Sequence, residues 1–292
     1  MAKLKNGRHR RNDGVWDPLK DSSTDRHSAE VVPRTPQSES PSYRLAYADN
    51  DFLCREELRP IRLQLELLKT EMILTERNIK STVVMFGGAR IPAPGQSAWA
   101  ARNELQKQNL EAASVYYDEA RKFARLCSEH SAHSAYQEYV VVTGGGPGVM
   151  EAGNRGASEV GAPSVGLNIV LPHEQAPNPY VTPELSFNFH YFAIRKMHFL
   201  MRAKAIAIFP GGFGTLDEFF EAVTLIQTKR MAPIPLILFS RKFWHGMINF
   251  DGLAEFGTIA PEDLNLLQFA ETAEDAWKIV ADFYDLNEEA AP

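Results

Sequence analysis

Short apolar runs alternate with longer stretches of helical spacing over most of the chain. Runs of about four to eight residues that are rich in Val, Ile and Phe and bounded by glycine, proline or polar turns are typical of buried parallel strands. Six runs have this character, at residues 82–86, 139–143, 163–170, 185–189, 205–209 and 234–239. Their alternation with helical stretches predicts an α/β fold with a parallel sheet.

Apolar residues spaced three and four positions apart predict the helices. The longest such stretch follows Pro60 and extends to about residue 79. Its apolar face consists of Leu58, Ile61, Leu65, Leu68 and Met72. We expect this helix to pack on the core or on a partner subunit. Further helices are predicted at residues 114–130, 191–203, 219–225, 243–253 and 273–283.

The first part of the chain, residues 1–48, has a different composition. It is rich in Ser, Pro, Asp and Arg and carries few large apolar side chains. Such a segment buries too little surface to offset the entropy lost on ordering, so we expect a flexible tail. Residues 49–292 are predicted to form a single domain with a helical extension over about 49–80.

Charge and cysteine content narrow the functional class. The first fifty residues hold nine Lys and Arg and seven Asp and Glu, which leaves 22 basic and 30 acidic residues for the rest. We therefore expect no general nucleic-acid-binding surface. Cys54 and Cys127 lie far apart without metal-ligand spacing, which favours a reducing compartment. With no apolar run of membrane-spanning length and no secretory signal, we expect a cytoplasmic protein without a membrane partner.

Glycine-rich turns follow three of the predicted strands, at Gly87-Gly88, at Gly144-Gly145-Gly146 and within Pro210–Glu218. Glycine lets the backbone approach an anion closely, and the first N–H groups of a helix carry partial positive charge. Open α/β sheets bind ligands at the carboxyl ends of their strands. These turns therefore predict a phosphate-binding site. The candidate phosphate ligands after the strand at residues 205–209 are Gly211, Gly212, Gly214 and Thr215.

Charged residues beside the third turn indicate chemistry beyond phosphate binding. Glu218 would repel a phosphate unless it faces another part of the ligand. On the preceding predicted helix, Arg195, His198 and Arg202 share a face, with Lys196 beside them. This basic face is well placed to meet an anion.

Read in order, these motifs resemble the LOG (Lonely Guy) family of Rossmann-like nucleotide-binding proteins, once labelled lysine decarboxylases. The matching segments are Gly144–Ala152, Asn154–Ala157, Arg195–Met197 and Pro210–Glu218. The long helix and tail resemble the longer bacterial members. Two positions depart from the family pattern: Gly88 stands where serine is common, and Asp217 replaces the first glutamate of a pair. The resemblance implies a doubly wound parallel sheet with helices on both faces.

The same resemblance implies an activity, namely hydrolysis of the N-glycosidic bond of a nucleoside 5′-monophosphate to free base and ribose 5-phosphate. Some members cleave AMP and others cleave cytokinin riboside monophosphates. Arg195 and Glu218 match the catalytic positions, and a carboxylate suits the oxocarbenium-like transition state of glycoside cleavage. The remaining implied contacts to substrate are Gly87, Gly88, Gly144, Gly145, Gly146, Glu151 and, as a weaker candidate, Lys196. The resemblance implies no cofactor and no metal. It does imply a homodimer or higher homo-oligomer.

Two other functions remain open at the level of sequence. A decarboxylase would need pyridoxal phosphate on a Schiff-base lysine, for which Lys196 is the lysine nearest the motifs. A sensor could hold a nucleotide on the same glycine loops without cleaving it. The histidines His173, His190 and His198 lack metal-ligand spacing, so we expect them to be structural.

Overall fold

The architecture is that of a computed structural model, which describes residues 21–172 and 176–286. This part of the chain divides into two compact units, one ending at Leu65 and the other beginning at Glu66. The basic start of the chain and His173 lie outside the described residues. The flexibility and boundary predicted for residues 1–48 stay predictions.

Helices and turns make up the described part of the first unit. Helix α1 spans Ser22–Glu30 and begins at Asp21, whose carboxylate accepts a hydrogen bond from the Thr24 amide at 2.8 Å. A side-chain cap of this kind satisfies one of the unpaired N–H groups of a first helical turn. Helix α2 spans Asn50–Leu53. Helix α1 thus lies in the described part of the segment predicted to be a flexible tail.

Helix α3, Arg59–Glu76, is the long helix that the sequence predicts. Pro60 stands in its first turn, where proline is tolerated because the N–H group that it lacks would have no partner within the helix. Leu68 and Met72 do not pack on the core, since their exposed fractions are 52% and 57%. Packing of this face on a partner subunit, the other alternative, stays a prediction. Leu74 is the buried apolar residue of this helix.

In the described residues, seven parallel strands form one sheet in the second unit. They are β1 (Thr82–Phe86), β2 (Val140–Thr143), β3 (Ser164–Ile169), β4 (Ser186–Phe189), β5 (Ala203–Ile208), β6 (Leu236–Phe239) and β7 (Gln268–Ala270). Their order is β4-β3-β2-β1-β5-β6-β7. Strands β2 to β4 are thus added successively on one side of β1, and β5 to β7 on its other side. This confirms the predicted Rossmann-like, doubly wound α/β fold with helices on both faces. The direction reverses between β1 and β5.

Buried β-branched residues hold the central strands together. Val83 on β1 pairs with Val141 on β2 and with Ala205 on β5, and all three side chains are fully buried. A strand covered on both faces is expected to be apolar at every position rather than at every second one. The core thereby fixes the carboxyl ends of β1, β2 and β5 beside one another.

The remaining helices of the second unit follow the strands. They are α4 (Glu104–Ala112), α5 (Val115–Ser131), α6 (Val149–Glu159), α7 (Phe192–Leu200), α8 (Phe213–Gln227), α9 (Arg241–Met247), α10 (Phe250–Glu255) and α11 (Ala273–Phe283). The helix predicted at 243–253 is instead two, because the Asn249 side chain accepts a hydrogen bond from Gly252 N and starts α10. Fully buried Phe219 packs beside the Trp244 ring, which anchors α8 to α9.

Candidate active site

The loops that follow β1, β2 and β5 meet at the carboxyl edge of the sheet. The Gly88 amide donates to the Pro210 carbonyl at 2.9 Å, and the Val149 amide donates to the Gly88 carbonyl at 3.3 Å. The three predicted glycine turns are therefore brought together. They lie where the winding direction reverses, which is where doubly wound sheets bind ligands.

Close backbone contact explains the glycine at the start of α6. Gly148 has φ of 71°, and a Cβ there would lie 2.4 Å from the Gly88 carbonyl oxygen. Positive φ and this proximity both exclude a side chain. The β1 and β2 turns can touch only because this residue is glycine.

Helix α8 presents an open N-terminus at this edge. Gly212 precedes it, and within the described residues no side chain caps the helix. A Cβ at Gly212 or Gly214 would meet nothing within 4 Å, so space lies beside both residues. Thr215 packs against Gly211 instead and is buried. The first N–H groups and the helix dipole can thus receive an anion.

Arg195 lies on α7 and reaches the triple-glycine loop. Its Nε donates to the Leu167 carbonyl on β3 at 2.7 Å, and its guanidinium lies 5.2 Å from the centre of the Phe199 ring. Its Nη2 lies 2.7 Å from the position that a Cβ at Gly144 would occupy. The sheet and α7 therefore fix a positive charge against the loop after β2.

Glu218 lies on the second turn of α8 with an exposed fraction of 6%. Burial raises the pKa of its carboxyl group to about 7, while the charges of Lys196 and Arg195 oppose this rise and those of Glu221 and Asp217 add to it. Near neutral pH, Glu218 therefore exists in both protonation states. A carboxyl group with such a pKa is suited to proton transfer.

Lys196 joins α7 to α8 through two ion pairs. Its Nζ lies 2.9 Å from Asp217 Oδ1 and 2.9 Å from Glu221 Oε2. Burial lowers the pKa of Lys196, but the hydrogen bonds to these two carboxylates outweigh it and the net shift is upward. The ammonium group is charged and already held by protein carboxylates.

Glu151 lies in the first turn of α6 and interacts with α5. The Tyr117 hydroxyl donates to its Oε1 at 2.8 Å. Burial is the main cause that raises the pKa of Tyr117 to about 12, so this phenol remains a donor at neutral pH. This contact could not be predicted from the sequence, where Tyr117 is only one inward position of a helix.

A network of asparagines supports the triple-glycine loop, and sequence reasoning missed it. Asn178 Nδ2 donates to the carbonyls of Gly145 and Gly146, each at 3.1 Å, and to Asn154 Oδ1 at 2.9 Å. Asn154 Oδ1 also accepts from the Thr143 hydroxyl at 2.6 Å. Asn178 stands in a proline-rich loop, where an asparagine predicts a turn and nothing more.

An open groove of about 540 Å³ runs along the outer face of α8 beside Lys196. Its other lining residues are Phe213, Leu216, Asp217, Phe220, Glu221, Thr224 and Leu225. Phe213 has an exposed fraction of 92%. Apolar and polar side chains line this groove in equal number, and none of the glycine turns contributes to the lining.

Two further classes of feature are absent from the described part of the chain. No group of three or more His, Cys, Asp and Glu side chains there is arranged to hold a metal ion. Among the described helices, none combines the length and the apolar character that crossing a membrane requires.

Part of the chain matches a known family model. Residues 150–280 match a family model described as possible lysine decarboxylase, and this range includes Arg195 and Glu218. No curated protein is significantly similar to the chain.

Three solved structures are similar over about 70% of this chain. The protein TM1055 is 22% identical over 69% of this chain and 99% of its own, with a TM-score of 0.45. A molybdenum cofactor binding protein from the phototrophic bacterium Rippkaea orientalis is 17% identical over 70% and 98%, with a TM-score of 0.43. The Moco carrier protein from Chlamydomonas reinhardtii is 16% identical over 71% and 99%, with a TM-score of 0.42. Residues 150–280, somewhat less than half of the chain, are thus similar to the family described as possible lysine decarboxylase.

Proposed function

We propose that this protein hydrolyses the N-glycosidic bond of a nucleoside 5′-monophosphate, AMP or a cytokinin riboside monophosphate, and releases free base and ribose 5-phosphate. The observation that carries the proposal is the placement of Glu218, a buried carboxyl group one turn inside an open helix N-terminus. One nucleotide could therefore contact both the N-terminus of α8 with its phosphate and the Glu218 carboxyl group with its sugar.

The phosphate would bind the first turn of α8. Gly211, Gly212 and Gly214 would offer backbone N–H groups, and Thr215 would offer its hydroxyl. Glu218 would then face the sugar rather than the phosphate. Its ionised form can stabilise the positive charge that develops at the anomeric carbon or activate the attacking water.

Arg195 would hold the substrate with charge-assisted hydrogen bonds. Its bond to the Leu167 carbonyl orients the guanidinium beside the triple-glycine loop. The turns at Gly87-Gly88 and at Gly144–Gly146 would form the walls beside the ribose and base. Glu151, oriented by Tyr117, would lie on the same side.

Lys196 would act on the site without binding substrate. Its two ion pairs hold α7, which carries Arg195, against α8, which carries Glu218. Its charge also favours the ionised form of Glu218. This role accounts for Asp217, which departs from the family pattern but keeps a carboxylate beside Lys196.

Pyridoxal phosphate does not fit these residues. A Schiff base requires a neutral lysine amine, whereas Lys196 is paired with two carboxylates and its pKa is raised. The family's older description as a decarboxylase therefore finds no support in this site. A non-catalytic nucleotide sensor remains the alternative, because binding needs only the glycine turns.

We expect a homodimer or higher homo-oligomer. Four apolar residues of α7 and the first half of α8 are exposed, namely Phe192, Met197, Phe213 and Phe220, with exposed fractions from 40% to 92%. Phe213 and Phe220 line the same groove, and larger exposed apolar patches mark interaction sites. Light scattering would contradict this expectation if it gave the mass of one chain at working concentration.

A product assay tests the proposed activity. The protein is incubated with a panel of purine and pyrimidine nucleoside monophosphates, and free base and ribose 5-phosphate are measured by chromatography. Wild type and the exposed control Glu255→Gln should release base from at least one nucleotide, and Glu218→Gln should release none while still binding it. If wild type binds nucleotides but releases no base from any of them, the sensor function replaces the enzymatic one.

A further inference from the structure

Asn178 is the most densely bonded side chain at the candidate site. It stands between Pro177 and Pro179 and has an exposed fraction of 7%. Its backbone N–H donates to the Gly145 carbonyl at 2.8 Å, and its Oδ1 accepts from the Tyr180 amide at 3.2 Å. With the three contacts of its Nδ2, every polar group of the side chain is engaged.

Asparagine is required at this position by the direction of its hydrogen bonds. Three oxygens face Nδ2, two from the carbonyls of the triple-glycine loop and one from Asn154. The Asn154 amide is itself fixed, because its Nδ2 donates to the Ser164 hydroxyl at 3.0 Å and its Oδ1 therefore faces Asn178. A carboxylate at 178 would place a fourth acceptor against these oxygens.

These bonds determine which way the loop's peptides face. The carbonyl and N–H of a trans peptide point in opposite directions. Because the Gly145 carbonyl points to Asn178, the N–H of Gly146 points away from it. The next peptide offers no N–H, since residue 147 is proline. Gly146 N–H is thus the donor that these two peptides present on the side opposite Asn178.

We propose that Asn178 is a positioning residue, which orients the Gly145–Gly146 peptide so that the Gly146 N–H donates to an oxygen of the bound nucleoside monophosphate. This inference rests on the proposed function for the identity of the ligand. It assigns a role to the loop after β3, which the sequence describes only as polar and rich in proline.

The test compares Asn178→Asp with Asn188→Asp. Both changes remove an amide and add one negative charge, but residue 188 is exposed on β4. Asn178→Ala serves as a second variant, since it removes the side-chain donor without adding charge and keeps the backbone bond to Gly145. AMP affinity is measured by calorimetry with Glu218→Gln also present, so that turnover does not interfere. Amide hydrogen exchange of the 144–150 segment is measured without ligand.

Both variants at 178 should weaken AMP binding by about tenfold or more, as expected for loss of a well-aligned hydrogen bond, and should speed exchange in the loop. Without the Glu218 substitution, KM should rise by a similar factor while kcat changes less, which a general loss of stability would not produce. Asn188→Asp should match its parent.

AMP affinity within about twofold of the parent for both variants at 178 would overturn the inference, because a reoriented peptide must lose its bond to ligand. If the Glu218→Gln parent binds neither AMP nor a cytokinin riboside monophosphate, the proposed function fails instead. Loop exchange then decides whether Asn178 orients the loop: unchanged exchange in both variants overturns the inference, and faster exchange supports it.

Discussion

Replacing Glu218 with glutamine should stabilise the protein at alkaline pH while abolishing its proposed activity. In the folded protein the Glu218 carboxyl group is buried, and burial raises its pKa to about 7 from the ordinary value of 4.5. Ionising this group therefore costs more free energy in the folded chain than in the unfolded chain. Glutamine has a similar shape and does not titrate, so it removes that cost.

The size of the effect follows from the two pKa values. They differ by about 2.5 pH units, and at about 1.36 kcal/mol per unit the full effect is about 3 kcal/mol. Because the folded-state pKa is the higher one, the stabilisation from protonated Glu218 is fully present below the unfolded-state pKa. It is lost as pH rises through the folded-state pKa of about 7. About 2.5 kcal/mol of the change falls between about pH 5 and pH 8.5.

Urea unfolding at those two pH values measures the effect without ligand. The free energy of unfolding of Glu218→Gln minus that of wild type should be about 2.5 kcal/mol larger at the higher pH. Other titrating groups contribute to both proteins and cancel in this difference. Glu255→Gln, at an exposed glutamate, controls for the loss of one carboxylate. If the difference for Glu218→Gln changes by less than about 0.5 kcal/mol, Glu218 is not held in the low-polarity environment inferred here.

Three further predictions concern the surroundings of Glu218 and the glycine turns. Lys196→Met should move the acidic limb of the kcat/KM profile to higher pH, because the ionised form of Glu218 loses a stabilising charge. Lys196→Arg keeps that charge and should keep the limb in place. An unchanged limb with a raised KM for Lys196→Met would indicate that Lys196 binds substrate. Gly145 and Gly161 share a φ of 73°, so an alanine at either position costs about 1 kcal/mol or more in backbone strain. Only the Cβ at 145 would also lie 2.3 Å from a side-chain oxygen on β3, so Gly145→Ala should lower the unfolding temperature more than Gly161→Ala. Equal losses would refute the contact. Phe213→Ser should lower the mass measured by light scattering without lowering the unfolding temperature, and an unchanged oligomer would exclude this residue from the interface.

The sequence predicted the framework of the site because local patterns determine it. The run at 82–86 is apolar at every position, and β1 has those bounds. Glycine turns after β1, β2 and β5 could be placed together by the rule that ligands bind at carboxyl edges. Gln268–Ala270 was missed as a strand because three residues are too few for a pattern to emerge.

The features of the site that could not be predicted from the sequence depend on contacts between residues far apart in the chain. Nothing local distinguishes Asn178 from any asparagine in a turn, yet its partners lie more than thirty positions away at Gly145 and Gly146. The two ion pairs of Lys196 likewise depend on how α7 packs against α8. The raised pKa of Glu218 also results from packing, since burial is its main cause.

The most direct test of the account is to incubate wild type and Glu218→Gln with AMP and with a cytokinin riboside monophosphate, and to measure free base and ribose 5-phosphate. The account predicts equal amounts of the two products from wild type with at least one substrate, and none from Glu218→Gln even though the nucleotide still binds. Release of base by Glu218→Gln at the wild-type rate would contradict the role of Glu218. Binding without release by wild type would contradict the hydrolytic function itself.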